Sequence, residues 1–476
     1  MSLFKPALAA AALILATPAL AEEPITFEAA SGETAEAFQG AFEVPENRAD
    51  PDSRMIEIGY VRFPATTDNP GPPIVYLAGG PGGSGTGTAE RQRFPLFTEM
   101  RRHADVIAFD QRGTGLSDDA PRCKSSIGGD DGQRVSDADI TAAYRAALEE
   151  CGAFWKAEGI DIRGYTTAES VQDISALRRH LGAETVTLWG ISYGSHLAFA
   201  ALNAIPDEID RVIIASAEGL DQTVKLPART DAYFARLQAA VNTQPAAKAA
   251  YPDIAALMRR VHEKLDADPL LIELESASGE AIPFLFQRPH AQMMASGLIA
   301  DPDNAVYLLQ LYAALDAGSA EAVKAFMGYF FEPGEPISLN PMSTAMDLAS
   351  GVSPARLAEV REQAETALLR DYLNFPMPHI LGVWPDIDLG ESFRDGPAGD
   401  TPVLLFSGTL DGRTYPEGQA EAVAGLTNVQ AVTVVNAGHN LYMRSPEIAV
   451  AMHRFMRDEP IGVTEITVDL PDFAPE

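Results

Sequence analysis

The chain has 476 residues, 46% of them hydrophobic, and sets 67 acidic side chains against 35 basic ones for a formal net charge of −32. That length exceeds what one compact domain needs, so a core with a large insertion, or two domains, is expected. A surface this acidic repels nucleic acid and anionic lipid; outside a cell it favours solubility, and it attracts cationic substrates only weakly.

In chain order, residues 1–21 read as a signal peptide. Lys5 gives a basic start, the apolar run 7–16 is too short to span a bilayer, and Ala19-Leu20-Ala21 is a small-x-small cleavage site. The expectation is export to the periplasm or the extracellular space, with an uncleaved N-terminal anchor as the alternative. No later stretch is long and apolar enough to predict a membrane span in the mature chain. Short apolar runs at 74–78 and 106–109 predict strands, the first entering a glycine-rich loop and the second ending at Asp110. A helix over 167–181 carries Val171, Ile174, Leu177 and Leu181 on one side; a strand over 185–189, a buried helix over 193–204 and a strand over 211–215 follow. Strands and helices alternating at this length predict an α/β fold with a mostly parallel sheet covered on both faces.

The texture then changes. Residues 230–375 read as mostly helical, with Leu, Ala and Met at helical spacing. A hairpin interrupts them, 271–274 and 282–286 around a turn near Ser278-Gly279, and Pro- and Gly-rich loops are expected at 333–341 and 385–399. Strands return at 402–406 and 432–435, and a helix over 448–455 closes the chain. The predicted organisation is a signal peptide (1–21), a first core segment (22–225), a helical cap insertion (226–396) and a second core segment (397–476).

Cys123 and Cys151 are the two cysteines. An exported chain meets an oxidising compartment, which predicts a disulfide; two buried thiols are the alternative. Ile140, Tyr144, Leu148, Cys151 and Trp155 share one helical face, aiming Cys151 inward. Two cysteines this far apart do not make a zinc site, and no metal or organic cofactor is predicted.

Gly190-Ile191-Ser192-Tyr193-Gly194 stands between a strand and a helix. A sharp turn there lifts the serine hydroxyl above the sheet edge, and glycines are needed where the residues flanking the serine approach each other. Ser192 is the candidate nucleophile, at a helix N-terminus whose amides favour developing negative charge. The backbone N–H of Tyr193 and one from the loop Gly79-Gly80-Pro81-Gly82-Gly83, Gly80 by preference, are the candidate oxyanion donors. A phosphate cradle is the other use of such a loop, but the Gly-Lys-Ser/Thr ending is missing. A serine needs a base oriented by an acid, and in this fold they follow in the order serine, acid, histidine. The strand at 402–406 leads to Asp411 and that at 432–435 to His439. His453 sits mid-helix and His196 within the helix after the nucleophile, so neither is preferred as base.

Asp110-Gln111-Arg112-Gly113-Thr114-Gly115-Leu116-Ser117, Tyr165-Thr166-Thr167 and Gly408-Thr409-Leu410-Asp411-Gly412-Arg413-Thr414-Tyr415-Pro416 complete a set of strings. With the glycine loop and the serine turn, they resemble the prolyl aminopeptidase and tripeptidyl aminopeptidase branch of the α/β hydrolases, over roughly 40–220 and 400–460. The resemblance implies a serine peptidase acting at free N-termini, with a helical cap over the site. It is nearer the exported tripeptidyl-type members, because Ala78 stands where the prolyl enzymes carry histidine. Asp110 and Arg112 look structural within this family. An aminopeptidase must hold an ammonium group, normally with carboxylates. Glu218 is the first candidate, a solvated turn residue being its other reading, and Glu332 and Glu335 in the cap are weaker ones. The expected function is a serine aminopeptidase working through a Ser-His-Asp triad and an acyl-enzyme on peptides. The alternative is a carboxylesterase using the same triad on small acyl esters. Oligomeric state is left open.

Overall fold

The computed structural model describes residues 22–128, 131–276, 279–327 and 333–475; the expected signal peptide, Ser278 of the expected turn and Glu332 lie outside them. The chain opens with three strands, β1 (Glu23–Glu28), β2 (Thr34–Pro45) and β3 (Met55–Phe63), paired antiparallel in succession. β4 (Ile74–Leu77) and β5 (Val106–Phe109) follow, buried at every position, as continuous apolar runs in a doubly covered sheet should be. β6 (Cys123–Gly128) leaves the sheet, and β7 (Val186–Ile191) and β8 (Ile209–Ala215) return to it. After a long excursion containing β9 (Leu270–Glu275), β10 (Ala281–Phe286) and β11 (Pro336–Leu339), the sheet is completed by β12 (Val403–Gly408), β13 (Val429–Val435) and β14 (Glu465–Thr467). Its order is β1-β2-β3-β5-β4-β7-β8-β12-β13-β14. From β5 to β14 every neighbouring pair is parallel, which makes this the α/β-hydrolase arrangement expected from the sequence. Apolar side chains fill both faces: Val75, Leu188 and Ile214 on one, Tyr76, Trp189 and Ile213 on the other.

The excursion between β8 and β12 is mostly helical and has its own core around Phe234, Met294 and Leu309. β9 and β10 form the expected antiparallel hairpin. β11 corrects the loop expected at 333–341: it pairs with β6, so the excursion is stitched to a segment far earlier in the chain. The helix Asp137–Ala157 is held in the same way, Asp137 taking Arg288 at 2.9 Å and Tyr372 Oη at 2.8 Å. Its expected face is turned inward, with Leu148, Cys151 and Trp155 fully buried.

Cys123 and Cys151 form a disulfide across 28 residues, joining β6 to that helix. Closing a loop of this length stabilises by about 3–4 kcal/mol in the chain-entropy model. Replacing both cysteines with serine should lower the unfolding free energy by about that much in a denaturant titration. A loss below about 1 kcal/mol would show that β6–β11 pairing alone orders this region. Among the described residues, no helix is long and apolar enough to cross a membrane.

Candidate active site

β7 ends at Ile191, and Ser192 takes φ 55° and ψ −129° before the helix Tyr193–Ala204 begins. The two glycines make this possible. A Cβ on Gly194 would lie 2.1 Å from the Leu77 carbonyl oxygen, and one on Gly190 would lie 2.7 Å from the Gly194 oxygen. Such backbone atoms cannot give way, so only glycine fits. Tyr442 Oη donates to the Gly190 carbonyl at 2.7 Å and Ser192 N–H to the Ala215 carbonyl at 3.2 Å, tying the turn to its neighbours.

The glycine loop after β4 lies against the serine: a Cβ on Gly79 would stand 3.0 Å from Ser192 Cβ and 3.6 Å from its Oγ. Gly80 has φ +127°, where an added Cβ would meet Gly82 N at 2.8 Å. The loop closes on itself through Gly83 N–H to the Gly79 carbonyl at 3.0 Å. It is anchored from β5 by Asp110, which accepts from Ser84 Oγ at 2.8 Å, Thr86 N–H at 3.0 Å and Thr86 Oγ1 at 2.6 Å. Tyr193 begins its helix, where the first amides have no intrahelical carbonyl to bond.

Asp411 follows β12 and is fully buried. Its carboxylate accepts Arg413 N–H and Thr414 N–H at 2.8 Å each, Thr414 Oγ1 at 2.7 Å, and the His439 ring at Nδ1 from 3.1 Å. Burial alone would raise this carboxyl. The His439 ring and the Thr414 donors outweigh it and hold the group below the usual carboxylate range. His439 follows β13; its N–H donates to the Ala300 carbonyl in the insertion and its carbonyl accepts Ser216 Oγ, each at 2.8 Å. With Nδ1 facing Asp411, Nε2 is the nitrogen left free to act as base.

Ser192, His439, Gly79 and Gly80 line one cavity of about 400 Å³, and Asp411 lies behind the imidazole. The structure brings the three sequence-derived residues to the carboxyl ends of β7, β12 and β13. His196 is buried in its helix, with Nδ1 3.2 Å from the Gly219 carbonyl and Nε2 3.0 Å from Ser350 Oγ. His453 packs on His103 at 2.9 Å and does not line this cavity.

Glu218 also lines the cavity. It is buried rather than a solvated turn residue, and Oε2 accepts Lys225 Nζ at 2.9 Å. Burial would raise its carboxyl, but Lys225, His196 and Arg413 hold it low and charged. Asp347, on the insertion helix Pro341–Ser350, feels that charge: desolvation and Glu218 push it up to about 7, against the pull of Lys225 and Arg413. Glu335 instead pairs with Lys124 at 3.1 Å, outside the cavity. Sequence reasoning missed Arg93, Lys225 and Asp347, none of which stands in a motif. Arg413 and Thr414 were visible in the string around Asp411 but carried no distinguishing signal. Among the described residues, no cluster of His, Cys, Asp or Glu is placed to hold a metal ion.

Residues 72–296 match the α/β-hydrolase fold family and residues 382–462 a family described as TAP-like protein. The first match contains Ser192 and the second contains Asp411 and His439. The chain is 28% identical over 187 residues to serine protease Hip1 of Mycobacterium tuberculosis, covering 38% of this chain and 36% of that one. It is 26% identical over 193 residues to a tripeptidyl aminopeptidase of Streptomyces lividans, covering 37% and 34%. Proline iminopeptidase of Arabidopsis thaliana is 31% identical over 144 residues, covering 30% and 26%. The chain therefore matches only about a third of each relative's length, or less.

Proposed function

Since the chain has the α/β-hydrolase fold and matches a family described as TAP-like over residues 382–462, we propose that it is an exported serine aminopeptidase that cuts peptides near their free N-termini. The observation that carries this reading is the meeting of Ser192 and His439 on one cavity, with buried Asp411 against Nδ1 of the imidazole. Peptidase names among the relatives support a peptide substrate, and the disulfide supports export. Ser192 Oγ attacks the scissile carbonyl carbon while His439 Nε2 takes its proton. The developing oxyanion is met by the N–H groups of Tyr193 and the Gly80 loop. The C–N bond then breaks, and the imidazolium gives its proton to the leaving nitrogen. Water, activated by the same imidazole, hydrolyses the Ser192 ester and frees the acyl product. Glu218 is the proposed partner of the substrate ammonium group: Oε2 takes Lys225, and Oε1 has no hydrogen-bond partner among the described residues.

A panel of chromogenic peptidyl anilides, free or acetylated at the N-terminus, set against short acyl esters, tests the reading. Free-amine anilides should turn over, and blocking the amine should cost about ten- to hundredfold in kcat/KM, the scale of a charge-assisted bond. Turnover of esters alone would favour a carboxylesterase with the same triad. Equal rates on free and blocked anilides would remove the ammonium site while leaving the peptidase.

A further inference from the structure

The same cavity contains a charge pattern that recognition of an ammonium group leaves unused. In a chain of net charge −32, the described residues that line it include three cationic side chains, Arg93, Lys225 and Arg413, against one carboxylate, Glu218. Lys225 and Glu218 offset each other at 2.9 Å. Arg413 is turned to backbone carbonyls, Nη1 donating to Ser296 O at 3.1 Å and Leu373 O at 3.4 Å.

Arg93 is held differently. Its guanidinium lies 5.4 Å from the Tyr442 ring centroid and 5.8 Å from that of Tyr76. It donates to Tyr76 Oη and, through Nη2, to Asn440 Oδ1 at 3.4 Å. Among the described residues no carboxylate forms an ion pair with it, although the chain has 67 acidic side chains from which a partner could have been drawn. Aromatic faces fix the guanidinium plane without neutralising it, which leaves planar donors suited to a carboxylate.

Position gives the direction. Asn440 is the residue after His439, and Arg93 is bonded to it. The imidazole that takes the serine proton returns it to the departing nitrogen, so the His439 side of the scissile bond is the leaving-group side. We propose that Arg93 binds a carboxylate on the first residue released after the scissile bond, either its acidic side chain or its free α-carboxylate. The preferred substrates are then peptides whose departing part is negatively charged next to the cut. This rests on the serine-peptidase reading above and adds a substrate class to it.

The test uses one acyl portion joined to four leaving groups: p-nitroaniline, glutamine amide, glutamate amide and glutamine with a free carboxylate. Release is followed by chromatography. The wild type should prefer at least one of the two carboxylate substrates over glutamine amide by about ten- to hundredfold in kcat/KM, and which one it prefers identifies the source of the carboxylate. Arg93→Gln should bring that ratio below about threefold. Arg93→Lys, which keeps the charge but loses the planar fork, should fall between the two. A wild-type ratio within threefold, or a ratio that survives in Arg93→Gln, overturns the proposal. The ratio in the wild type and in Arg93→Lys decides the matter even if the glutamine variant does not fold. The nitroanilide separates the two readings: with no release of nitroaniline the peptidase reading fails, and with release but no carboxylate preference only the role of Arg93 fails.

Discussion

Replacing Ser192 with alanine should lower kcat by about 10⁶ on any substrate the protein turns over, the scale on which loss of the nucleophile acts in a triad. The prediction is this large because no neighbour can take over. Ser84, in the adjacent glycine loop, donates to Asp110 at 2.8 Å and caps its own helix by accepting from Gly87 N–H at 2.8 Å. Ser195 Oγ donates back to the Ser192 carbonyl at 2.5 Å and receives Glu218 N–H at 2.8 Å. Both hydroxyls serve the scaffold. The residual rate should still exceed hydrolysis in water by about 10³–10⁴, because the oxyanion donors and substrate binding remain. Single-turnover kinetics on purified protein measure this, and a variant within tenfold of wild type would mean that another group carries the reaction.

Replacing Arg112 with methionine should destabilise the fold by about 3–5 kcal/mol, the range for breaking a buried ion pair from one side. Arg112 is fully buried. Nε and Nη2 grip the two oxygens of Asp173 at 2.7 and 2.8 Å, and Nη1 donates to the carbonyls of Glu46, at 2.6 Å, and Gly164. The variant leaves the Asp173 carboxylate buried, with Arg48 at 2.6 Å as its remaining cation. It also leaves two carbonyls without a donor, each of which adds to the cost. Because Arg112 lies in the loop that follows β5 and Asp110, the glycine loop beside Ser192 should loosen as well, so kcat should fall along with stability. Guanidinium titration checks the stability, and a change below about 1 kcal/mol would show that Arg48 takes over the pairing.

The strands that carry the site were legible because burial on both faces strongly favours apolar residues in them. Ile74–Leu77 is buried throughout and reads as a continuous apolar run; Val186–Ile191 is equally buried, with Thr187 as its one polar residue, and most of it falls in the strand expected at 185–189. The turn at Ser192 was legible because its backbone crowding admits only glycine at 190 and 194. β2 was not read: Thr34–Pro45 has buried positions at Ala35, Ala37, Gly40 and Val44, and the first three are weak strand formers that give little apolar alternation to see. β11 was not read either, since a four-residue strand opened by proline exists only through its pairing with β6, more than two hundred residues away. Charge complementarity inside the cavity was invisible for the same reason. Glu218 could be named from its place just after a strand, but Lys225 as its partner, Asp347 beside it and Arg93 over two tyrosines depend on how the insertion and the loops fold back.

The proposed chemistry depends on Ser192 being the one activated hydroxyl. Treatment with a fluorophosphonate that phosphonylates activated serines, followed by intact-mass measurement and peptide mapping, reads this directly. One adduct per chain is expected, on the peptide containing Ser192, and His439→Ala should abolish it. An adduct on any other residue, or equal labelling of the His439 variant, would contradict the account.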